Sequence, residues 1–569
     1  MKYSELCGIY SRLESTTKKL EKTEIIAKFL KGIKRERNRR DIIYLLQGNV
    51  FPESEAGVLG VSEQLTVKAL ALAGGLSKEE VVKKWKAGGD LGEVAEDIIA
   101  HRKKIAGGRE LTVENIITNF RKLPGFEGKG TVEKKLSLIT GLLSEATPEE
   151  AKYIVRTLLS DMRVGVKGGI LRDAIFDSCF TNDEKTKEDK ALLQRAYDLT
   201  IDFGLVFDYA CEGVSKLKEV SLMPGKPIKV MLFPKADSIE DAFRIVGKPA
   251  AFEYKYDGFR VIISKNKENI TIYTRRLEEV SRQFPDLVKY AKKYIKAETA
   301  IVDGEAIGYD PETKKYMPFQ DISQRIKRIY NIEKIEKELP VELVLFDLIY
   351  IDGESLLEKP FIERRKRLER TVKTEKYRVS LAKQIITSDE KEVEKFYGEA
   401  LETGEEGVMA KNLDSPYKPG ARIGYAVKLK PEADEFDLVI TKAEYGTGKR
   451  GGWLTSYSVS CLAGKGREGE LLEVGKVSTG LKEKSELGLS FEEMTKLLKP
   501  LIEKEEGREV IVKPKIVAMV QYQNIQKSPT YSSGYALRFP RIKVIRPDKK
   551  VEDANTLKDI EREYEKHRR

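Results

Sequence analysis

The sequence predicts three successive domains: an all-α domain over residues 1–236, a mixed α+β domain over 237–430 and a small β-barrel domain over 431–569. Three observations support this multidomain fold class. The 569 residues suffice for about three or four domains of ordinary size. Apolar residues recur at helical spacing in the first part, and alternating β-branched runs replace that period after about residue 250. Short strands then recur after residue 436 around one helical insertion.

The first domain is predicted to be helical throughout. Apolar residues recur every three or four positions in segments such as 4–13 and 151–159. Ser77 stands three residues before Glu80, a pattern typical of a helix N-terminus. The segment 223–229 contains two prolines, which restrict the backbone and remove hydrogen-bond donors. We therefore predict an extended linker there, followed by one more helix over 238–246.

The second domain alternates strands with helices. Period-two, β-branched runs predict strands over 251–256, 259–264, 270–274, 300–307 and 343–351. Helical patterns such as those over 360–372 and 391–403 lie between the strands of the domain. This mixture predicts an α+β domain.

The third domain is predicted to be rich in strands. The predicted strands are 437–443, 456–463, 470–477, 509–512 and 516–522, with an inserted helix over 490–504. Five strands with one inserted helix fit a small closed barrel of the OB-fold type. The residues from 555 to 569 predict a charged C-terminal helix.

Composition limits the classes of partner. The chain has 103 Lys and Arg against 92 Asp and Glu, a net charge of +11, which favours an anionic partner such as nucleic acid. A solvated, lysine-rich surface would give the same surplus. No segment approaches the roughly 18–20 apolar residues of a membrane span. The first residues show no secretory pattern, so we expect a cytoplasmic protein without a membrane partner.

Cysteine usage argues against a zinc centre. The four cysteines, Cys7, Cys179, Cys211 and Cys461, are far apart in sequence and form no C-x-x-C pair. Only two histidines accompany them, so a structural zinc site has almost no ligands. We expect reduced cysteines that serve mainly in packing.

The segment 253–260 is the first with chemical meaning. Glu253 and Lys255 are two residues apart and would share one face of a strand. Asp257 and Gly258 are turn residues, and we predict that residues 259–263 return as the second strand of a hairpin. Lys255 would then be held rigidly as a nucleophile, whereas an isolated K-x-D-G is more often an ordinary surface turn.

Further motifs along the domain strengthen the nucleophile interpretation. Asp303 and Glu305 place two carboxylates on one face of a strand, suited to a ribose hydroxyl or a divalent metal. Phe346 offers an aromatic face to a base. Lys428 and Lys430 alternate, so both ammonium groups would face one pocket. Together these groups supply a nucleophile, metal-binding acids, a stacking ring and phosphate-neutralising cations.

The order of these motifs resembles that of the covalent nucleotidyltransferases, which include DNA ligases, RNA ligases and mRNA-capping enzymes. The motifs are KYDGFR (255–260), TRRLE (274–278), DGE (303–305), LFD (345–347), EGVMAK (406–411) and VKLK (427–430). Residues 526–541, followed by 546–549, resemble the end of the OB domain of ATP-dependent DNA ligases. Residues 155–166 and 224–232 are similar to the DNA-binding domain of archaeal and eukaryotic replicative ligases.

The resemblance implies a role for each acid and for the ring. Lys255 would carry AMP as a phosphoramidate, and Glu253 would read the adenine amino group. Phe346 would stack on adenine. Glu305 would contact the ribose or the metal, and Glu406 would help to hold the metal.

Six cations are implied to contact phosphates. Arg260 and Arg275 would contact the nucleotide phosphate or the 5′-phosphate of a nick, and Lys428 and Lys430 would touch the phosphates. Two residues of the barrel domain would approach the leaving pyrophosphate when that domain closes, namely Arg541 and Lys549.

The resemblance further implies ATP, Mg²⁺ or Mn²⁺, and nicked duplex DNA as the ligands of a monomeric enzyme of replication, repair and recombination. An RNA ligase or capping-type enzyme is the main alternative, and the long helical domain argues against it. A non-catalytic DNA-binding relative is the alternative from another class. The segment 101–114 contains no copy of a clamp-binding motif, so a sliding-clamp partner stays open.

Overall fold

A computed structural model describes the chain except for residues 56–58, 103–109, 129, 181–185, 318, 327, 329, 432–433, 447–449, 451, 465–466, 468, 484–488 and 567–569. It consists of two compact units. One comprises Met1–Val393 with Met409–Lys428, and the other comprises Glu394–Val408 with Leu429–Arg569.

The described residues up to 218 form helices joined by loops, as the apolar period predicts. Its helices are α1 (Tyr3–Glu14), α2 (Lys19–Ile33), α3 (Arg39–Leu46), α4 (Glu63–Gly74), α5 (Lys78–Gly88), α6 (Leu91–His101), α7 (Val113–Lys122), α8 (Thr131–Glu145), α9 (Pro148–Leu158), α10 (Gly168–Cys179), α11 (Lys187–Thr200), α12 (Phe203–Glu212) and α13 (Val214–Lys218). The predicted capping pattern is confirmed, because Ser77 and Glu80 form a reciprocal capping box at the start of α5.

The predicted linker contains no helix. Between α13 and α14 (Ile239–Val246) the backbone is extended or turned. Leu232 makes a parallel bridge to Arg422, and Lys235 makes one to Lys428. The linker between α13 and α14, residues 219–238, therefore extends beyond the predicted 223–229 and runs along the segment that leads to the Lys428 motif.

The mixed region confirms the α+β prediction. Its strands are β1 (Ala250–Lys255), β2 (Phe259–Asn266), β3 (Asn269–Thr274), β4 (Thr299–Tyr309), β5 (Tyr316–Met317), β6 (Val341–Ile351), β7 (Glu354–Ser355), β8 (Val379–Leu381), β9 (Gln384–Thr387), β10 (Gly407–Asn412) and β11 (Ala426–Leu429). Its helices are α15 (Pro285–Tyr294), α16 (Phe319–Ile326), α17 (Ile332–Glu338), α18 (Phe361–Thr371) and α19 (Glu390–Glu402).

These strands form two sheets. One has the order β11-β10-β1-β9, and the other has the path β3-β2-β4-β6-β7 with β5 beside β4 and β8 beside β6. Alternation along β2 puts Val261 and Ile263 into the core, together with Leu287 of α15. Arg260 lies on the opposite face.

The prediction that β1 and β2 form a hairpin is wrong. β1 pairs with β9, whereas β2 pairs with β3 and β4 in the other sheet. A Cβ added to Gly258 would overlap the carbonyl oxygen of Ala306 on β4. The short turn therefore packs tightly against the second sheet and carries the chain from one sheet to the other.

The second unit contains the predicted strand-rich region. Its strands are β12 (Asp434–Tyr445), β13 (Leu454–Leu462), β14 (Leu471–Val477), β15 (Ile502–Glu506), β16 (Glu509–Val512), β17 (Val517–Tyr522), β18 (Asn524–Lys527), β19 (Tyr535–Arg538) and β20 (Arg541–Ile545). Its helices are α20 (Phe491–Leu498) and α21 (Leu557–Lys566). The inserted helix was predicted to reach residue 504 but ends at Leu498, because Pro500 follows and β15 begins at Ile502.

β12 organises this region by pairing with three neighbours, β13, β16 and β17. Apolar residues of these strands form one core with Met494 and Leu498 of α20 and Ile560 of α21. No helix among the residues that the structure describes combines the length and apolar character required to cross a bilayer.

Candidate functional site

Lys255 ends β1 at the point where the chain leaves the four-stranded sheet. Its side chain is half-buried. Asp257 and Gly258 follow, and β2 begins in the other sheet at Phe259. The turn is confined by the close approach of Gly258 to β4, so the backbone after Lys255 has little freedom.

Glu253 lies two residues earlier and is only 2% exposed. Three side chains surround its carboxylate: Lys411 at 2.5 Å, Gln384 at 2.8 Å and Arg365 at 3.2 Å. A buried carboxylate needs such partners to offset its lost hydration. The strand pattern therefore places Glu253, whose charge is compensated by Lys411 and Arg365, on the same face of β1 as Lys255.

Phe346 is a half-buried ring flanked by two cations. The Lys411 ammonium lies 4.8 Å from the ring centroid and the Arg260 guanidinium lies 5.5 Å from it. Lys411 thus contacts both Glu253 and Phe346, and it connects the strand of the nucleophile to the stacking ring.

A β-bulge sets the direction of Phe346. Along the β4–β6 pair, Asp303 faces Asp347 and Gly304 faces Leu345, so Phe346 is the extra residue of β6. A Cβ on Gly304 would come 2.7 Å from the carbonyl oxygen of Val344, which explains the glycine at this position. Bulges commonly re-aim a side chain next to a binding site.

Asp303 differs from the pair of metal-binding carboxylates predicted there. It is fully buried and accepts hydrogen bonds from Arg260 at 2.9 and 2.6 Å and from the Tyr417 hydroxyl at 2.7 Å. Its oxygens are therefore already bonded within the protein. Burial alone would lower the pKa of Arg260, but the charge of Asp303 raises that pKa above its ordinary value.

The linker takes part in this buried network. The backbone N–H of Met231 donates to the Tyr417 hydroxyl at 3.2 Å, and the Met231 carbonyl accepts from Arg260 at 2.8 Å. Burial, followed by the charge of Asp303, raises the pKa of Tyr417 well above its ordinary value. Tyr417 therefore stays a neutral hydroxyl that joins the linker to Asp303.

Two neighbouring arginines of α18 bind carboxylates on two different strands. Arg364 binds Asp347 of β6 through two bonds of 2.8 and 2.9 Å, and Arg365 binds Glu253 of β1. Both guanidinium groups are buried. α18 therefore connects the strand that carries Lys255 to the strand that carries Phe346.

Arg364, Arg365 and Tyr417 were not predicted from the sequence as site residues. A signal for the arginines does exist, because they lie three and four residues after Phe361 and share a helical stripe with Leu368. Charged residues on an otherwise apolar stripe indicate buried ion pairs. Nothing local in the sequence indicates the contacts of Tyr417.

The remaining predicted residues of this unit are placed as follows. Glu305 lies directly opposite Arg260 in the β2–β4 pair and is half-buried. Lys428 is half-buried on β11, where its backbone N–H donates to Pro234 and its carbonyl accepts from Ala236. Arg275 is exposed and directly follows the last residue of β3, outside the strands that carry Glu305 and Lys428.

The other unit holds the remaining predicted residues. Glu406 and Lys430 form an ion pair there. Arg541 begins β20 and is exposed. The Lys549 ammonium lies 2.5 Å from Asp437, so this predicted phosphate ligand is ion-paired within its own unit.

The donors present fit a hard cation only in part. Within the described part of the chain, no group of three or more His, Cys, Asp or Glu side chains is arranged to hold a metal ion. Mg²⁺ is, however, commonly bound by one or two carboxylates together with substrate phosphates. The carboxylate of Glu305 suits that mode of binding.

Three family models match the chain in the order of its regions. They describe the DNA ligase N terminus (residues 2–176), the ATP dependent DNA ligase domain (230–430) and the ATP dependent DNA ligase C terminal region (450–549). The DNA ligase of Nanoarchaeum equitans is 45% identical over 100% of this chain and 99% of its own. That of Thermococcus fumicolans is 44% identical over 99% and 98%, respectively.

A solved structure named Pmar-Lig_Pre has the same fold. It is 17% identical, covers 95% of this chain and 99% of its own, and gives a TM-score of 0.55. At this identity the likeness shows the fold alone, and it agrees with the predicted multidomain fold class.

Proposed function

Because the chain belongs to the ATP-dependent DNA ligase family and seals nicks in DNA, we propose that Lys255 carries AMP from ATP to the nick. The observation that carries this proposal is the position of Lys255. Lys255 ends β1 beside Glu253, which is ion-paired with Lys411, and it precedes a turn that packs tightly against the second sheet. A nucleophile fixed in this way needs little further ordering before it attacks.

We propose that adenine binds between the Glu253 cluster and Phe346. The ring of Phe346 offers a flat apolar surface, and the bulge in β6 sets its direction. Glu253 would accept from the adenine amino group while Lys411 and Arg365 keep its charge balanced. Stacking and one directional hydrogen bond together would select adenine.

Arg260, Glu305 and Lys428 are proposed to serve the sugar and phosphates. Asp303 holds Arg260 by two hydrogen bonds, and such a bidentate pair orients the guanidinium. Glu305 would bind the ribose or a divalent cation. Mg²⁺ or Mn²⁺, when bound, supplies charge neutralisation at the phosphates.

The roles of five residues rest on the family resemblance alone. They are Arg275, Glu406, Lys430, Arg541 and Lys549. Glu406 is proposed as a metal ligand and the four cations as phosphate ligands. Glu406 is ion-paired with Lys430, and Lys549 with Asp437, so these charges are compensated within the protein.

The proposed chemistry has three transfers at phosphorus. The neutral amine of Lys255 attacks the α-phosphorus of ATP; an N–P bond forms, the bond to pyrophosphate breaks, and the nitrogen loses a proton. A 5′-phosphate oxygen at the nick then attacks the same phosphorus and displaces the lysine nitrogen, which regains a proton. Finally, the 3′-hydroxyl attacks the 5′-phosphate, loses its proton and releases AMP.

The test follows label from nucleotide to protein to DNA. The full-length protein is incubated with Mg²⁺ and α-labelled ATP or GTP, or adenylate-labelled NAD, and then with nicked DNA or RNA. We expect label from ATP on the protein and its transfer to nicked DNA. Label from GTP alone, or absence of label, would contradict the proposal.

Lys255→Ala should abolish labelling and leave binding of nicked DNA largely intact. Lys289→Ala is the matched control, because Lys289 is 70% exposed on α15 and pairs only at the surface with Glu336. Labelling retained in Lys255→Ala would show that another residue is the nucleophile.

We further propose that one copy acts on each nick, in replication, repair and recombination. The segment considered for a sliding-clamp partner is 101–114, and its residues 103–109 lie outside the described part of the chain.

A further inference from the structure

Two cysteines that are distant in sequence meet in the helical region. Cys179 ends α10 and Cys211 lies near the end of α12, 32 residues later. Their sulfur atoms are 3.5 Å apart, and both side chains are half-buried. All four cysteines are free thiols, as expected, and these two are also within contact distance of each other.

The other two cysteines are different in kind. Cys7 and Cys461 are fully buried, and burial raises the pKa of both thiols, that of Cys461 to about 12. A buried thiol of high pKa reacts slowly, because the thiolate is the nucleophile. These two cysteines serve as internal controls for the reactive pair.

The surroundings of the pair favour a thiolate on Cys179. The hydrogen bond between the two sulfurs lowers the pKa of Cys179, and Ser178, Lys34 and Arg39 act in the same direction against the opposing effect of burial. The same hydrogen bond raises the pKa of Cys211. These directions make Cys179 the better attacking thiol, and the 3.5 Å separation of the sulfurs places Cys211 to resolve the product.

We propose that Cys179 and Cys211 form an intrachain disulfide in exchange with a disulfide-bearing oxidant, either a small molecule or a protein. The Cys179 thiolate attacks one oxidant sulfur, forms a mixed disulfide and releases one thiol. Cys211 loses its proton, attacks the Cys179 sulfur and releases the second thiol. Two cysteines are oxidised and one oxidant disulfide is reduced. The sulfurs need to approach by about 1.5 Å to reach the bonding distance.

The Cys179–Cys211 disulfide would connect two helices, one of which binds the arginines at the start of α3. It would link the end of α10 to α12 and enclose α11. Asp208, one turn before Cys211, accepts hydrogen bonds from both Arg39 and Arg40 at the start of α3. The cross-link would therefore restrain the helix that orders these arginines.

The test uses the full-length protein and glutathione disulfide as the oxidant. Remaining thiols are alkylated with N-ethylmaleimide, and the products are mapped by mass spectrometry. We expect loss of two alkylatable thiols, a peptide that links residues 179 and 211, and reversal by dithiothreitol. Alkylation of both cysteines after oxidation, or a mixed disulfide that persists, would overturn the proposal.

Matched variants separate the pair from the other thiols. Cys211→Ser should stop at a mixed disulfide on Cys179, whereas Cys461→Ser should still form the cross-link. The oxidised wild type should unfold at a temperature about 5–15 °C higher than the reduced form, and Cys211→Ser should lose this shift. An equal shift in Cys211→Ser would assign the stabilisation to some other effect of oxidation.

Discussion

Tyr417→Phe tests the buried network that joins the linker to the catalytic sheets. The change keeps the ring and removes only the hydroxyl oxygen. That oxygen donates to Asp303 at 2.7 Å and accepts from the backbone N–H of Met231 at 3.2 Å. Asp303 would keep its two bonds from Arg260, while the buried Met231 N–H would lose its partner.

The expected cost follows from these two bonds. A hydrogen bond to a charged group contributes about 1.5–3 kcal/mol, and a stranded buried donor costs about 1–3 kcal/mol. We therefore expect the free energy of unfolding to fall by about 3–5 kcal/mol. Urea unfolding followed by tryptophan fluorescence and circular dichroism measures it, provided that the two probes give the same transition.

A double-mutant cycle identifies the partner. Tyr417→Phe and Asp303→Asn share one interaction, so their combined effect should fall short of the sum by about 1.5–3 kcal/mol. Tyr425→Phe is the matched control, since this half-buried tyrosine lines the same small cavity and makes no side-chain hydrogen bond among the described residues. It should change stability by less than about 1 kcal/mol.

Activity gives a second readout. Loss of the Tyr417 bond should loosen Arg260 through Asp303, so adenylation of Lys255 should slow with less effect on DNA binding. A stability within about 1 kcal/mol of the wild type, or strictly additive effects in the cycle, would refute the reasoning about this network.

Three further predictions concern single groups. Burial raises the pKa of Asp198 to about 6, so the folded state binds its proton more tightly than the unfolded state does. The contribution of Asp198 to the free energy of unfolding should therefore fall by about 3 kcal/mol as pH rises from about 3 to about 7. Asp198→Asn should remove that contribution in pH-dependent urea unfolding. Glu253→Gln leaves the buried Lys411 ammonium without a full counter-charge, so we expect the free energy of unfolding to fall by about 3–5 kcal/mol. The label assay should show little adenylation, and wild-type labelling would contradict the adenine-site proposal. Gly304→Ala forces its methyl group against the Val344 carbonyl and should lower stability by about 1–3 kcal/mol in thermal unfolding; an unchanged transition would mean that the bulge yields.

The sequence predicted the broad architecture well because the signals involved are local. The change from helical to alternating period located the mixed region, and the capping pattern at Ser77 located a helix start. The nucleotide-site motifs of the first unit likewise fall on strands that the alternating pattern predicts. Lys255, Arg260, Glu305 and Phe346 all lie on strands of the two sheets.

The errors arise where distant strands decide the outcome. A turn between two strand-like runs predicts a hairpin, yet β1 finds its partner β9 about 130 residues later. The sequence predicts that Asp303 is available to a ribose hydroxyl or a divalent metal, because its bond to the distant Tyr417 has no local signal. The bulge at Phe346 depends on pairing with β4, which no local pattern of β6 reveals.

The adjacent Arg364 and Arg365 also limit the insertions and deletions that α18 can accept. Successive side chains on a helix point about 100° apart, which lets these two neighbours reach Asp347 and Glu253 on separate strands. Deleting or inserting one residue in the first turn of α18 would rotate both arginines away from their acids at once. We therefore expect insertions and deletions to be excluded from the first turn of α18, because a single compensating substitution cannot restore both pairs.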